Sequence, residues 1–389
     1  MNHRITEAVV LAAGEGRRLR PLTTFQPKPM LPVANRPVIE YVLDSLFECG
    51  IEHVVVVVGH RSERIQTHLS ARYPDADIEF VRQDSRLGSG HALLQAEGHV
   101  SDSFVVCNGD NVIDADIVSS VLERFSMTDS VATLAVASSE TPEEYGVVVE
   151  HDGRISDIDE HADDGDGYLV NAGVYAFDES VFDALRRTPS YEGETRLPDV
   201  IHRLDGYVSS VTVNGGWLDP SHPWGLLSVT EMLLARLESS SISTSARIHE
   251  QAVIEDPVVI GDDCDVGPGA VVGPGSCLQN NVVVGANSVV ERSILSTDAR
   301  IDAGAILRDS VVGPGGHIGD GVVSPGGQAD VILEGRLYTD RQLGSIVGDR
   351  ATVGANVTLS PGSRVGAEAI VGAGTVLHGD VRERVEVTH

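Results

Sequence analysis

The chain has 389 residues, of which 58 are acidic and 28 are basic, so its formal net charge is −30. This charge excludes bulk nucleic acid as an expected partner, because a phosphate backbone would be repelled. The length allows two domains with separate cores, and a mean hydropathy near zero predicts a soluble globular protein. Because the acidic residues are spread along the chain, we expect a halophilic-type acidic surface suited to a high-salt cytoplasm.

The N-terminal stretch and the cysteines predict the compartment. The segment MNHRITEAVVLAAG has no apolar stretch followed by a small-residue cleavage site, so we expect a cytoplasmic protein. The longest apolar run holds five consecutive valines, which is too short for a membrane span. No CxxC pair occurs among Cys49, Cys107, Cys264 and Cys277, which favours reduced structural thiols over a metal or redox centre.

Residues 1–238 alternate strand-like and helix-like segments. The first predicted strands are 7–12, 53–59, 78–82 and 104–108, and the predicted helices between them are 37–49, 62–71 and 88–98. This order predicts an α/β domain whose parallel sheet is covered by helices on both faces. Later apolar runs at 132–137, 146–150 and 170–177 predict further strands in a more mixed region.

The pattern changes after residue 238. The polar segment 239–246, which contains SSSISTS, is predicted to be a linker. From 247 to 389, aliphatic residues recur every six positions and small turn residues follow them. Such hexads are typical of a parallel β-helix, in which stacked coils bury an aliphatic ladder. Residues 321–345 break the period, which predicts an excursion between coils.

A glycine-rich loop follows the first predicted strand. In Gly14-Glu15-Gly16-Arg17-Arg18, backbone N–H groups could approach phosphate oxygens, and the arginines would add bidentate donors. The loop lacks the lysine of a Walker loop and the third glycine of a dinucleotide motif. A surface turn with solvated arginines is the alternative. Further along, prolines on both sides of Lys28 stiffen the segment that carries its ammonium group.

Residues 9–33, which contain LAAGEGRRLRPLT and PKPMLPV, resemble the signature of the sugar-phosphate nucleotidylyltransferases. The resemblance implies a Rossmann-like domain followed by a left-handed β-helix. It also implies transfer of a nucleotidyl group from a nucleoside triphosphate to a sugar-1-phosphate, with release of pyrophosphate. By the same resemblance, Ala13, Gly14 and Gly16 bind the nucleotide phosphates, Arg18 contacts the triphosphate, and Lys28 bridges the nucleotide and sugar phosphates.

The resemblance extends to the base and the metal. Gln83 and the Gly88 backbone would bind a pyrimidine, and the sequence motif LGSGHAL favours UTP over dTTP. Asp110 and Asp219 would bind Mg²⁺, a metal that rarely uses more than two protein carboxylates. Asp110 follows a predicted strand, at the edge where parallel sheets bind ligands. The alternatives are a helix cap for Asp110, a turn before proline for Asp219 and a surface amide for Gln83.

The predicted sugar site departs from the family pattern. Gly146, Glu160 and Asn171 match sugar-binding positions, but His161 stands where the family carries a lysine that holds the sugar phosphate. A histidine provides that charge only when it is protonated. For Glu160 the alternative is a surface acid in an acidic loop.

The resemblance also raises a second activity for the β-helix. Some relatives form trimers through this domain, bind acetyl-CoA and acetylate glucosamine-1-phosphate with a histidine base. The matching positions here read Ile301-Asp302-Ala303, and His317 lies at another offset, where we predict a turn histidine on the surface. We therefore expect a homo-oligomer, a trimer through the β-helix, in which this domain serves assembly or regulation. The alternatives are an acetyltransferase activity with acetyl-CoA and a non-catalytic regulatory subunit.

Overall fold

The computed structural model describes residues 4–59, 62–139, 141–142, 145–159, 169–191 and 193–388. The chain forms two compact units. The first comprises the chain up to Glu15 together with Lys28–Met30 and Val38–Leu218. The second comprises Gly16–Pro27, Leu31–Pro37 and the chain from Asp219 onward.

The described residues form the following elements. The helices are α1 Val38–Glu48, α2 Ser62–Arg72, α3 Ser89–Leu94, α4 Ala115–Met127, α5 Ser180–Arg187 and α6 Pro223–Leu234, with 3-10 helices at Arg17–Leu19, Lys28–Met30 and Pro198–Arg203. The first strands are β1 Glu7–Ala12, β2 Pro32–Val33, β3 Arg36–Pro37, β4 His53–Val58, β5 Asp77–Arg82, β6 Ser103–Asn108, β7 Val112–Ile113, β8 Ser130–Ser138, β9 Val147–His151, β10 Arg154–Asp159, β11 Leu169–Asp178, β12 Tyr207–Val213 and β13 Trp217–Leu218.

The remaining strands are short and follow one another through the second unit. They are β14 Ser241–Ile242, β15 Arg247–Ile248, β16 Val253–Ile254, β17 Val259–Ile260, β18 Asp265–Val266, β19 Val271–Val272, β20 Cys277–Leu278, β21 Val283–Val284, β22 Val289–Glu291, β23 Ile294–Leu295, β24 Arg300–Ile301, β25 Ile306–Arg308, β26 Val311–Val312, β27 His317–Ile318, β28 Val323–Ser324, β29 Gln328–Leu333, β30 Arg336–Gln342, β31 Ser345–Val347, β32 Thr352–Val353, β33 Thr358–Leu359, β34 Ser363–Val365, β35 Ile370–Val371, β36 Val376–Leu377, β37 Asp380–Val381 and β38 Glu386–Val387.

The first unit contains a nine-stranded mixed sheet in the order β5-β4-β1-β6-β11-β8-β12-β10-β9. Strands β5, β4, β1 and β6 are parallel, and β11 runs antiparallel to both β6 and β8. The predicted parallel α/β half and the more mixed remainder are both confirmed. Helix α3 is shorter than the predicted 88–98, since it ends at Leu94.

Helices cover both faces of this sheet. Side chains of β1 alternate between two cores, as the period of two of a strand requires. Ala8, Val10 and Ala12 pack with residues of α1, α2 and α4, whereas Val9 and Leu11 pack with residues of α3 and α5. The prediction of two covered faces is therefore confirmed.

The second unit contains a β-helix made of three parallel sheets with eight, eight and seven strands. The aliphatic residues of the hexad ladder form its core, which confirms the left-handed parallel β-helix predicted for this part of the chain. Fully buried members of the ladder include Val272, Leu278, Val290, Ile301, Leu307, Ile318, Val347, Val353, Leu359, Val365 and Val371. One aliphatic side chain per hexad is thus enough to fill the interior of each coil.

Two segments of the second unit bear on its predicted limits. Strand β14 lies within residues 239–246, predicted to be a linker, and it pairs with β17 as the first strand of its sheet. The predicted excursion is confirmed, because β29 and β30 form an antiparallel hairpin inside residues 321–345. Within the described ranges, no helix is both long and apolar enough to cross a membrane. All four cysteines are free thiols.

Candidate active site

Lys28 and Asp110 form an ion pair in the first unit. Lys28 lies in the 3-10 helix Lys28–Met30 and is only 7% exposed. Its Nζ donates to Oδ2 of Asp110 over 2.7 Å, although 82 positions separate the two residues. Lys28 is the single lysine of the chain. The structure therefore joins two residues predicted to be catalytic and places the one ammonium side chain of the protein against a carboxylate.

The turn after β6 positions Asp110. The N–H of Gly109 donates to the carbonyl of Leu11 over 2.9 Å, which ties the turn to the end of β1. A Cβ at position 109 would lie 2.9 Å from Val10 Cγ1, so glycine allows this close approach. Helix α4 begins at Ala115, and Asp114 stands at its N-cap position, where its side chain makes no capping hydrogen bond. The alternative interpretation of Asp110 as a helix cap is therefore excluded.

A buried amide supports the same turn from the other side. The side-chain oxygen of Asn111 accepts from Nε1 of Trp217 over 3.0 Å, and Asn111 is 7% exposed. Trp217 pairs with Ile113 where β13 meets β7, and its ring packs edge-on against Tyr145 at 5.3 Å between centroids. The sequence analysis missed the Asn111–Trp217 contact, because no local pattern connects positions more than a hundred residues apart.

The loop after β1 begins in the first unit. Apart from the two chain neighbours of Gly14, no described residue lies within 4 Å of a Cβ built on it, so space is open at this glycine. The carbonyl oxygen of Ala13 lies 2.9 Å from a Cβ built on Gly59, which shows how closely the ends of β1 and β4 approach. Oε2 of Glu15 lies 3.1 Å from Nη1 of Arg86. This ion pair joins the loop to the segment predicted to bind the base.

Gln83 and Gly88 lie together, as predicted for a base-binding segment. Gln83 is 5% exposed, and its Nε2 donates to the Gly88 carbonyl and to Nδ1 of His91, both over 3.0 Å. The interpretation of Gln83 as a surface amide is therefore excluded. Gly88 has a φ of +93°, and a Cβ there would lie 2.3 Å from the Thr195 carbonyl oxygen, so only glycine fits.

Two of the residues predicted to bind the sugar lie side by side. The N–H of Asn171 donates to the carbonyl of Gly146 over 3.0 Å. The Asn171 side chain accepts from the N–H of Gly173 over 3.0 Å and donates to the Tyr175 hydroxyl over 2.5 Å. These bonds hold the amide where β11 shifts register against β8. Glu160 and His161 lie outside the described residues.

Gly16, Arg18 and Asp219 belong to the second unit. Gly16 adopts the left-handed conformation, with φ 64°, and its carbonyl accepts from Leu19 N–H and Thr23 Oγ1. Nη1 of Arg18 lies 3.3 Å from Nε2 of His222, a residue the sequence analysis did not single out. His222 follows Ser221, whose hydroxyl donates to Oδ1 of Asp219.

The contact at Ser221 bears on the carboxylate of Asp219. The Ser221 hydroxyl occupies one oxygen of this carboxylate, which is predicted to bind the metal. Segment 219–222 thus carries both that carboxylate and the histidine that contacts Arg18. Asp219 precedes Pro220, as the turn interpretation requires, so its two interpretations both remain open.

The ligand set can be tested against a magnesium ion. Among the described residues, no group of three or more histidine, cysteine or carboxylate side chains is arranged to hold a metal. Mg²⁺ does not need such a cage, because it binds one or two carboxylates together with substrate phosphates and water. The Asp110 carboxylate is 30% exposed and stands at the end of a strand, so it fits this mode of binding.

Known proteins resemble the chain in both parts. The nucleotidyl transferase family matches residues 7–234, and the GMPPB C-terminal domain matches residues 237–326. The bifunctional protein GlmU of Methanococcus maripaludis strain C5 is 32% identical over 97% of this chain and 96% of its own length. AglF of Haloferax volcanii, a UTP–glucose-1-phosphate uridylyltransferase, is 33% identical over 56% of this chain and 92% of its own.

A solved structure shares the fold of the first part. A Bacillus anthracis protein described as a glucose-1-phosphate thymidylyltransferase matches 60% of this chain with 97% of its own, at 26% identity and a TM-score of 0.54. The fold of the first part and the family match define an enzyme of the nucleotidyltransferase class. The family match covers more than half of the residues, and the chain belongs to the nucleotidyl transferase family.

Proposed function

We propose that the protein transfers a nucleotidyl group from UTP, or from dTTP, to a sugar-1-phosphate and releases pyrophosphate. The observation that carries this proposal is the pairing of Lys28 with Asp110 at 2.7 Å beside the end of β1. The uridylyltransferase AglF, at 33% identity, supports UTP as the nucleotide. The sugar is N-acetylglucosamine-1-phosphate or glucose-1-phosphate.

The reaction is an in-line attack of a sugar-phosphate oxygen on the α-phosphorus of the nucleotide. A bond forms between this oxygen and the α-phosphorus while the bond to the bridging oxygen breaks, and pyrophosphate leaves. No protein nucleophile is required, because the attacking phosphate is already an anion. The work of the protein is therefore to position two anions and to neutralise their charge.

The described residues divide this work between nucleotide and sugar. Lys28 neutralises charge on both phosphates, and Arg18 contacts the triphosphate. The buried Gln83 amide and the Gly88 backbone form the base-binding segment. On the sugar side, Gly146 and Asn171 are already joined by a backbone hydrogen bond.

Asp110 is the residue proposed to hold a divalent metal. Mg²⁺ supplies charge neutralisation at the α-phosphate when it is bound. Asp219 is proposed as the second carboxylate on the basis of the sequence resemblance. The ammonium of Lys28 balances the charge of Asp110.

Pyrophosphate release in molar KCl with Mg²⁺ tests the proposal. UTP and dTTP are each paired with glucose-, N-acetylglucosamine- and glucosamine-1-phosphate, with and without acetyl-CoA. We expect release with UTP and one of the sugars. Saturable nucleotide binding without release from any pair would contradict the proposal and favour a regulatory subunit.

A second candidate activity is acetyl transfer from acetyl-CoA to glucosamine-1-phosphate. In the β-helix, His317 begins strand β27 rather than standing in a turn, and its Nε2 lies 2.7 Å from Oδ2 of Asp302. A carboxylate-bound imidazole that is 41% exposed can accept a proton from an amine. The relative named bifunctional, which matches 97% of this chain, supports the same candidate.

Acetyl transfer is measured by release of free CoA from acetyl-CoA and glucosamine-1-phosphate. We expect His317→Asn to abolish this release while leaving pyrophosphate release unchanged. Wild-type protein that releases no CoA would contradict the second activity alone. The trimer and the cytoplasmic location stay predictions, and light scattering of the purified protein in molar KCl tests the trimer.

A further inference from the structure

The second unit carries a hairpin that the β-helix does not require. Strand β26 pairs directly with β31, so the stack of coils continues as if β29 and β30 were absent. The hairpin nevertheless packs closely on the coils, since Nη2 of Arg364 donates to the Ile332 carbonyl over 3.0 Å. Tyr338, on β30, is 5% exposed, whereas its neighbour Leu337 is 56% exposed. The hairpin therefore presents one buried aromatic ring.

The ring of Tyr338 holds a histidine in place. Its centroid lies 5.0 Å from that of His222 and 5.2 Å from that of Trp224. The rings of His222 and Trp224 are stacked, with centroids 4.7 Å apart and planes 8° from parallel. His222 is thus 4% exposed and is bounded by an aromatic ring from α6 and another from the hairpin.

His222 in turn faces Arg18. Nε2 of His222 lies 3.3 Å from Nη1 of Arg18. A guanidinium group only donates, so Nε2 of His222 accepts in this contact. The orientation of the histidine ring therefore sets the direction in which Arg18 is held.

The β-helix also holds the other end of the same loop. Cζ of Arg350 lies 4.8 Å from the ring centroid of Phe25, and Cζ of Arg384 lies 6.0 Å from it. Pro21 Cβ is 3.0 Å from a Cβ built on Gly348. The loop Gly16–Pro27 is therefore fixed by the β-helix at Pro21 and Phe25 and by the hairpin near Arg18.

We propose that Tyr338 is a positioning residue for nucleotide binding, which acts through His222 on Arg18. This inference rests on the proposed function, in which Arg18 contacts the triphosphate. With the ring in place, the guanidinium group is oriented before the nucleotide arrives, and binding does not have to order it. The ring of Tyr338 then contributes to nucleotide binding, although it belongs to the β-helix.

Steady-state kinetics of the full chain test this inference. We expect Tyr338→Ala to raise the KM for UTP about tenfold, because one charged contact loses its preorganisation. The KM for the sugar-1-phosphate should change less than about twofold, because that substrate does not meet Arg18 in the proposal. Tyr338→Phe keeps the ring and should restore the wild-type KM, and Leu337→Ala, at the exposed neighbour, is the matched control.

A double-mutant cycle separates positioning from folding. If Tyr338 acts through Arg18, then Tyr338→Ala should cause no further rise in KM when it is added to Arg18→Ala. A fall in kcat with both KM values unchanged would mean fewer folded molecules, and it would overturn the inference, as would additive effects. Should Tyr338→Ala not fold, Tyr338→Leu keeps an apolar side chain and is measured in its place.

The two proposals fail in distinguishable ways. Wild-type protein that releases no pyrophosphate from any pair of substrates contradicts the proposed function. Wild-type protein that is active, with Tyr338→Ala equal to it in the KM for UTP, contradicts the inference and leaves the proposed function standing.

Discussion

Nζ of Lys28 lies 2.7 Å from Oδ2 of Asp110, and the lysine that makes this contact is 7% exposed. A charged side chain at such burial needs a partner, which the carboxylate supplies. Elsewhere along the chain every long basic side chain is an arginine. A compact ammonium with three rotatable donors can turn between a carboxylate and two phosphates, whereas a planar guanidinium has a fixed fork.

Substitutions of Lys28 test this relationship. We expect Lys28→Ala to lower turnover by at least about a hundredfold, as for loss of a key electrostatic group in a catalytic site. Lys28→Arg keeps the charge but not the shape, and we expect it to restore less than about a tenth of the activity. Pyrophosphate release at saturating substrates is the measurement. Arg247→Ala, which breaks an exposed ion pair with Asp265, should leave turnover unchanged.

Asp110 is expected to be as important as Lys28 but for a different reason. We predict that Asp110→Asn lowers turnover by at least about a hundredfold, because an amide is a weaker metal ligand and cannot neutralise the ammonium. The variant should also need more Mg²⁺ for half-maximal activity. Asp116→Asn, in the exposed first turn of α4, is the matched control. Near-normal turnover at every Mg²⁺ concentration would remove Asp110 from the proposed mechanism.

The net charge of −30 predicts a dependence of stability on salt. At low ionic strength the acidic side chains repel one another, and molar salt shortens the Debye length to about 3 Å. We therefore expect the unfolding temperature to rise between dilute buffer and molar KCl. A parallel series in sucrose, which favours compact states without screening charge, is the control. Equal unfolding temperatures in dilute and molar KCl would contradict the halophilic interpretation.

Local patterns were enough to predict much of this structure. The hexads predicted the β-helix because each coil buries its aliphatic side chains at fixed intervals along the chain. The six-residue period of the sequence therefore indicates the fold directly. The end of a strand predicted a ligand-binding position for Asp110, because parallel strands place their carboxyl ends at one edge. Gln83 was predicted from the resemblance of its segment to the base-binding segment of the family. Both predictions use information contained within a few residues.

Other features depend on contacts that no local pattern records. Segment 239–246 is polar, yet Ser241 and Ile242 form a strand that pairs with β17. This strand belongs to the first coil of the stack, which has a neighbouring coil on one side only. Its residues therefore remain exposed, which explains why the segment is polar. The contact between Arg18 and His222 joins residues 204 positions apart. Nothing in the composition of either segment distinguishes such a contact from a solvated arginine and a capping histidine.

Each unit contains a buried cysteine whose reactivity reports whether that unit is folded. Cys277 lies on β20 in the β-helix and Cys107 on β6 in the first unit, and both are fully buried. Burial raises the pKa of the Cys277 thiol to about 12 and that of the Cys107 thiol still further. Since the thiolate is the reactive form, neither residue should react with iodoacetamide at pH 8 while its unit is folded.

Labelling at decreasing salt then shows which unit opens first. Cys49 is half-buried, so we expect it to be labelled in the folded protein before Cys107 and Cys277. Mass spectrometry of the labelled peptides should show Cys107 and Cys277 reacting only as KCl is withdrawn or urea is added. Raising the pH from 7 to 9 should speed labelling of Cys49 more than that of Cys277, because a thiol with a pKa near 12 remains protonated throughout. Labelling of Cys277 as fast as Cys49 in molar KCl would contradict the closed β-helix core.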